Sequence, residues 1–192
     1  MAQVHVDSKQ TAEGTLPVAI PTSPDVIASV QIEAGARRIV YALATLEYME
    51  VWLQIPEVER IECHPERRSY DRFRIYMICA GKRQGSIYGR CLLSKPNRIT
   101  HLLERDQAGG PVRSLVEIYL YGSLSECCTL KLKHSGLSSQ QDREWYSKTW
   151  ERSLEKLSRI IGGIGAAPIS WKGCTVFRDK DSHAVPDSYH FD

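Results

Sequence analysis

A chain of 192 residues, 42% of them hydrophobic and 25% charged, has enough length and ordinary enough composition for one globular domain with a real core plus tails. The formal net charge of +2 and the lack of a basic stripe argue against a nucleic-acid track. No apolar run approaches the ~18 residues of a membrane span, and the start, "MAQVHVDSKQTAEGTLP", lacks the features of a secretory signal, so the expectation is a cytoplasmic protein without membrane insertion.

In chain order, residues 1–24 are polar and carry Pro17, Pro21 and Pro24, which predicts a mobile tail. "VIASVQIEA" alternates and reads as a strand. "ARRIVYALAT" and "LEYMEVWLQ" read as two short helices with a break near Thr45, and Pro56 ends that region. Six strands are predicted next, at 57–63, 71–79, 84–93, 98–105, 113–122 and 126–134, with turn signals at "GKRQG", "SKPN" and "DQAGGP". A long helix begins near Ser138 or Ser139, with Asp142 giving a capping-box-like start, and stops at Gly162-Gly163. From Gly162 onward the chain is rich in breakers and reads as a second tail, residues 164–192. Trp171, Val176 and Phe177 in it are able either to dock on the domain or to recruit a partner. The domain itself is placed at 25–163.

Tyr146, Trp150, Leu154, Leu157 and Ile161 recur at three- and four-residue steps and form one apolar stripe on that helix. The strands offer a matching face. Phe73, Ile75, Met77 and Cys79 share a side, as do Val116, Ile118 and Leu120, and Leu130, Leu132 and His134. The predicted fold is therefore α+β: a curved antiparallel sheet of about six or seven strands around a long C-terminal helix, with a cavity between them.

Three stretches carry a family resemblance. "VQIEAGARRIVYALATLEYMEVWL" resembles the opening strand and helices of the START-like or SRPBCC superfamily, the helix-grip fold. "GRCLLSKPNRI" resembles its central hairpin. "LKLKHSGL" followed by "TWERSLEKL" resembles its close. The match spans roughly residues 26 to 162 and is nearest the branch of chaperone-ATPase activators and polyketide-cyclase-like proteins. Gly35-Ala36 and Thr45-Leu46 depart from the family pattern, as does "LLSKPN". The resemblance implies a helix-grip fold; it does not choose among the activities that fold hosts.

His101 is the sharpest single residue, because "RITHLLER" alternates and puts it with Ile99 and Leu103 on the inner face. A lone imidazole there suits orienting a ligand carbonyl or acid–base work; the plainer reading is a satisfied core histidine. His134 ends a strand before Ser135-Gly136. It is expected mainly as scaffolding, bonding loop backbone where strand crosses to helix, with Gly136 supplying an unusual backbone angle. Trp52, Tyr146 and Trp150 suit either a pocket wall or plain core. Glu117 falls on the outer face beside Lys131 or Lys133, so it is rejected as catalytic. Arg67-Arg68, Arg72 and Arg74 read as a solvated edge.

No nucleophile elbow, phosphate loop or metal spacing is present, and the six cysteines include no Cys-x-x-Cys, so no cofactor, metal or catalytic residue is expected. The expected activity is binding of a small hydrophobic ligand, such as a lipid or polyketide. The cavity candidates are Trp52, Phe73, Ile75, Met77, His101, Leu103, Ile118, Leu132, His134, Tyr146 and Trp150. The alternatives are a cyclase or dehydratase using the same cavity, and an interaction protein acting with a chaperone or another protein partner. A cavity filled by side chains would sink both ligand readings and leave the interaction protein. An exposed sheet edge permits a homodimer.

Overall fold

The computed structural model describes residues 18–22, 25–66, 69, 71–106, 110–122 and 127–162. Among the described residues, eight strands and three helices follow one another as β1 (Val18–Thr22), β2 (Asp25–Ile32), α1 (Ala36–Ala44), α2 (Leu46–Trp52), β3 (Arg60–Pro65), β4 (Arg72–Cys79), β5 (Lys82–Lys95), β6 (Arg98–Arg105), β7 (Val112–Gly122), β8 (Cys128–Ser135) and α3 (Gln140–Gly162). The strands form one sheet in the order β1-β2-β8-β7-β6-β5-β4-β3, antiparallel throughout. From β3 to β8 each strand pairs with the next by a hairpin. After β2 the chain instead crosses through α1 and α2 to the far edge, and α3 packs across β1 and β2 and against α2. This is the helix-grip arrangement.

Period-two alternation builds the inner face. Val26, Ala28, Val30 and Ile32 are buried on β2, Val116, Ile118 and Leu120 on β7, and Leu130, Leu132 and His134 on β8. Tyr146, Trp150, Leu154, Leu157 and Ile161 on α3 meet that face as one buried stripe. The break between α1 and α2 falls at Thr45, whose backbone is extended (φ −101°, ψ 125°).

Three expectations are corrected. Residues 1–24 do not read through as a tail, because Val18–Thr22 pairs with β2 as an eighth, edge strand. Pro21 is tolerated there because an edge strand has ladder positions where no N–H is needed. Residues 1–17, the segment from 163 onward with Trp171, Val176 and Phe177, and Arg67-Arg68 lie outside the described residues. The strand expected from 57 starts at Arg60, since Pro56 and Glu57 (φ 65°) hold a turn before it. The hairpin expected at "GKRQG" turns instead on Ala80 and Gly81, both left-handed (φ 49° and 70°) as a two-residue turn of this kind requires, so Lys82–Gly85 already belong to β5. The register also shifts between Met77 and Ile78. The residue left out of the ladder there is Gln84 of β5, so alternation along β4 is unbroken: Met77 pairs with buried Ile61 of β3 and packs, half-buried, against the core on the face of Phe73 and Ile75.

One close approach fixes how β4 lies on β5. A Cβ on Gly89 falls 2.1 Å from the Phe73 ring, which is fully buried. Gly89→Ala is therefore expected to destabilise by at least the ~1–3 kcal/mol of an overpacked core, read by urea denaturation. A neutral result would mean that Phe73 has room to move.

Candidate functional site

Between the inner face of the sheet and α3 lies an apolar cavity of about 30 Å3. Eight of the residues expected to line it do so: Trp52 from α2, Phe73 and Ile75 from β4, His101 and Leu103 from β6, Ile118 from β7, and Tyr146 and Trp150 from α3. The helix pair adds Leu43 and Met49, the linker after α2 adds Leu53 and Ile55, and the sheet adds Ile87 and Val116. Val116 was within reach of sequence reasoning, since it alternates with Ile118. The linker residues were not, because nothing in the pattern after Trp52 says which way an irregular segment faces.

Three expected residues are elsewhere. Met77 packs against the core farther along β4, with its Cε 2.8 Å from where a Cβ on Gly85 of β5 would stand. Leu132 is 1% exposed but packs in the core from β8, paired with Ala28 of β2 on one side and Ile118 of β7 on the other. His134 is fully buried behind the cavity wall.

His134 bonds side chains, contrary to the expectation of loop backbone. Trp150 Nε1 donates to its Nδ1 at 3.0 Å, and its Nε2 lies 2.8 Å from Ser114 Oγ. An indole nitrogen only donates, so Nδ1 is the acceptor and the proton sits on Nε2, which donates to Ser114. The Ser114–His134 pair thus resembles a nucleophile and its base but is not one: the ring nitrogen facing the hydroxyl carries the proton already. The His134 ring also stands edge-on to Tyr146, centroids 4.2 Å apart. Burial, assisted by the nearby Arg105 guanidinium, pulls its pKa down to about 3. Gly136, two residues on, has φ 81°, and a Cβ there would crowd Arg113 O at 3.2 Å, so the crossing needs glycine.

His101 faces the cavity as its alternation implied, 6% exposed, edge-on to Phe73 with centroids 5.5 Å apart. Burial lowers its pKa from 6.5 to about 4, so it is a neutral imidazole at physiological pH. The linkage sign follows. Between pH 6.5 and about 4 the unfolded chain protonates at this position while the folded chain does not, so stability is full above pH 6.5 and falls as pH drops through that window. His134 adds to the same slope. The expected result is a shallower loss of stability in His101→Gln than in wild type between pH 6.5 and 4, and an NMR titration of His101 well below the solvent value of ~6.5. A normal titration would place the ring outside the cavity.

Tyr146 is the second ionisable group on the wall, and burial raises its pKa to about 12, leaving it a hydroxyl. Glu117 lies on the outer face opposite Lys133, and it accepts from Arg98 Nη2 at 2.6 Å and from Tyr119 OH at 2.9 Å. Among the described residues no group of three or more His, Cys, Asp or Glu is placed to hold a metal ion. None of their helices is long and apolar enough to cross a membrane.

A second, more polar pocket of about 150 Å3 opens beside the cavity, where α2, β3 and α3 meet. Leu53 and Ile55 line both spaces and so form the wall between them. Gln54, between those two, is clamped to α3 by one hydroxyl: its backbone N–H donates to Ser153 Oγ at 2.8 Å, and Ser153 Oγ donates back to the Gln54 carbonyl at 3.4 Å. At the other end of α3's first turns, Arg105 pairs with Asp142, and Ser139 Oγ caps the Asp142 N–H at 2.9 Å.

No protein-family model and no curated protein matches this chain. Solved structures do. A protein from Chromobacterium violaceum superposes with a TM-score of 0.61 at 19% identity, covering 74% of this chain and 100% of its own. CalU16 from Micromonospora echinospora gives 0.52 at 21%, covering 77% and 84%. DynU16, a protein of the dynemicin biosynthetic locus, gives 0.52 at 14%, covering 70% and 46%. At these identities the likeness is one of fold, and it agrees with the helix-grip architecture read from the coordinates.

Proposed function

We propose that this chain is a binding module for a small hydrophobic ligand, lipid- or polyketide-like in chemistry, taken up between the sheet and α3. The observation that carries the reading is the wall: apolar side chains from all three helices and four strands converge, with one neutral imidazole, His101, among them. Its resemblance to the START-like or SRPBCC superfamily and its likeness in fold to DynU16, from a biosynthetic locus, support the same reading. Binding draws on apolar burial of about 25 cal/mol per Å2, and His101 sets orientation by a hydrogen bond. At about 30 Å3 the resting cavity is smaller than the ~150 Å3 that takes a benzene, so ligand enters by displacing wall side chains. A cyclase or dehydratase is less well supported, since the wall offers no carboxylate to work beside His101 and Tyr146.

The test is native mass spectrometry of gently purified protein for co-purified molecules, together with methyl NMR during titration with benzene. Saturable shifts at Val116 and Ile118 and a raised melting temperature are expected, because a ligand bound only by the folded state stabilises it. No bound molecule and no saturable shift would overturn the reading. The near-filled cavity favours one second reading, an interaction protein of the chaperone-activator kind acting through its surface. Pull-down with the heat-shock chaperone, unaffected by His101→Gln, would favour it.

A further inference from the structure

The geometry points to the inner cavity and the outer pocket being two compartments of one site for an amphiphile, with the Leu53–Ile55 wall as the door between them. This rests on the ligand-binding reading above and adds the ligand's polar end and its route. The inner space is apolar and too small alone, the outer one is larger and polar, and Leu53 and Ile55 line both. The apolar part of the ligand lies against Val116 and Ile118, and its polar end stays outside beside Gln54 and Lys156.

The charges around the outer pocket decide the class of that end. Glu50 and Glu59 stand against Arg60 and Lys156, two of each sign. Glu50 Oε1 accepts the Cys63 N–H at 2.5 Å, Glu59 Oε2 accepts the Gly81 N–H at 3.4 Å, and Arg60 pairs with Glu62 at 3.2 Å. A balanced, largely committed set of charges favours neither an anion nor a cation, yet offers donors and acceptors. The fitting ligand carries a neutral hydrogen-bonding end, a hydroxyl or amide, on an apolar body.

The door is built to move. Its central residue hangs on the single Ser153 hydroxyl, which is itself fully buried. The segment that carries it is bounded by two points able to absorb a backbone change: extended Thr45, whose buried hydroxyl makes no hydrogen bond, and Glu57 in the left-handed region.

Octan-1-ol, octanoate and octylammonium are the probes, each titrated into the full chain. Octan-1-ol is expected to bind at least about tenfold more tightly than either ion, since burying an unmatched charge is costly. Intermolecular NOEs are expected from its terminal methyl to Val116 and Ile118, and from its C1 methylene to Val58 and Ile61. Ser153→Ala is expected to speed association about fivefold by removing one hydrogen bond from the closed door, while Ser158→Ala, which removes an α3 hydroxyl bonded to Gln31 O on β2 instead, leaves the rate unchanged. NOEs with the C1 methylene inside, or an equal or tighter fit for an ion, overturn the two-compartment site while benzene binding keeps the reading beneath it intact. An unchanged rate in Ser153→Ala overturns the door. Failure of benzene and all three probes to bind sinks that reading itself.

Discussion

Trp150→Ala is expected to cost about 3–5 kcal/mol of unfolding free energy, the range for truncating a buried Trp. Trp150 is 6% exposed, lies in the middle of the α3 stripe, lines the cavity and donates to His134 Nδ1. Truncation removes apolar burial, opens a void where the sheet grips the helix, and strips His134 of its acceptor bond. Trp150→Phe separates these losses. It keeps most of the ring contact and is expected to cost only about 1–3 kcal/mol, mainly for the orphaned nitrogen. It also releases the His134 tautomer, which 15N chemical shifts report directly: the wild type should show the proton on Nε2, the variant a mixture. Urea denaturation with a loss under ~1 kcal/mol for Trp150→Ala would mean that this face of α3 is not core.

His101 and His134 show how far the pattern reached and where it stopped. Alternation along "RITHLLER" and "LKLKH" placed both rings on the inner face because no irregularity interrupts β6 or β8 before them. The same rule held for the face of Met77, which pairs with buried Ile61 and packs against the core, but parity does not say which inner-face residues reach the cavity, and Met77 does not line it. His134's partners were also hidden: Ser114 is 20 residues away and Trp150 is 16, and the contact exists only once β7, β8 and α3 have packed. The strand at Val18–Thr22 was missed for a different reason. A five-residue segment beside prolines carries a weak local signal, and its strand state comes from pairing with β2. Cavity volume was the least legible quantity. Apolar lining is a matter of parity, but whether Leu43, Met49 and Trp52 fill the space is a matter of side-chain volumes in three dimensions.

Arg105 and Asp142 carry the second large effect. The guanidinium is 16% exposed and the carboxylate 5%, and they pair across the β6–α3 contact. Arg105 also lies over the Trp145 ring at 4.4 Å and the Tyr146 ring at 5.5 Å, so one cation holds the first turns of α3 on the sheet. Asp142 entered the sequence reading only as a capping residue. Its carboxylate does accept the Ser139 hydroxyl at 2.6 Å, but the pairing with Arg105, 37 residues away, is the larger interaction. Arg105→Met keeps the apolar stem and takes the counter-charge from the buried Asp142 carboxylate, which is expected to cost about 3–5 kcal/mol. Asp142→Asn should cost a similar amount for the converse reason. The double variant Arg105→Met/Asp142→Leu should recover much of either loss, because replacing a buried pair together is often close to neutral. His134 supplies an independent readout. Arg105 depresses its pKa and Asp142 raises it, so Arg105→Met should move the His134 titration upward from about 3 and Asp142→Asn should move it downward. Shifts of the same sign in both variants, or additive losses in the double variant, would mean that the two groups act separately and that the first turns of α3 are held by packing alone.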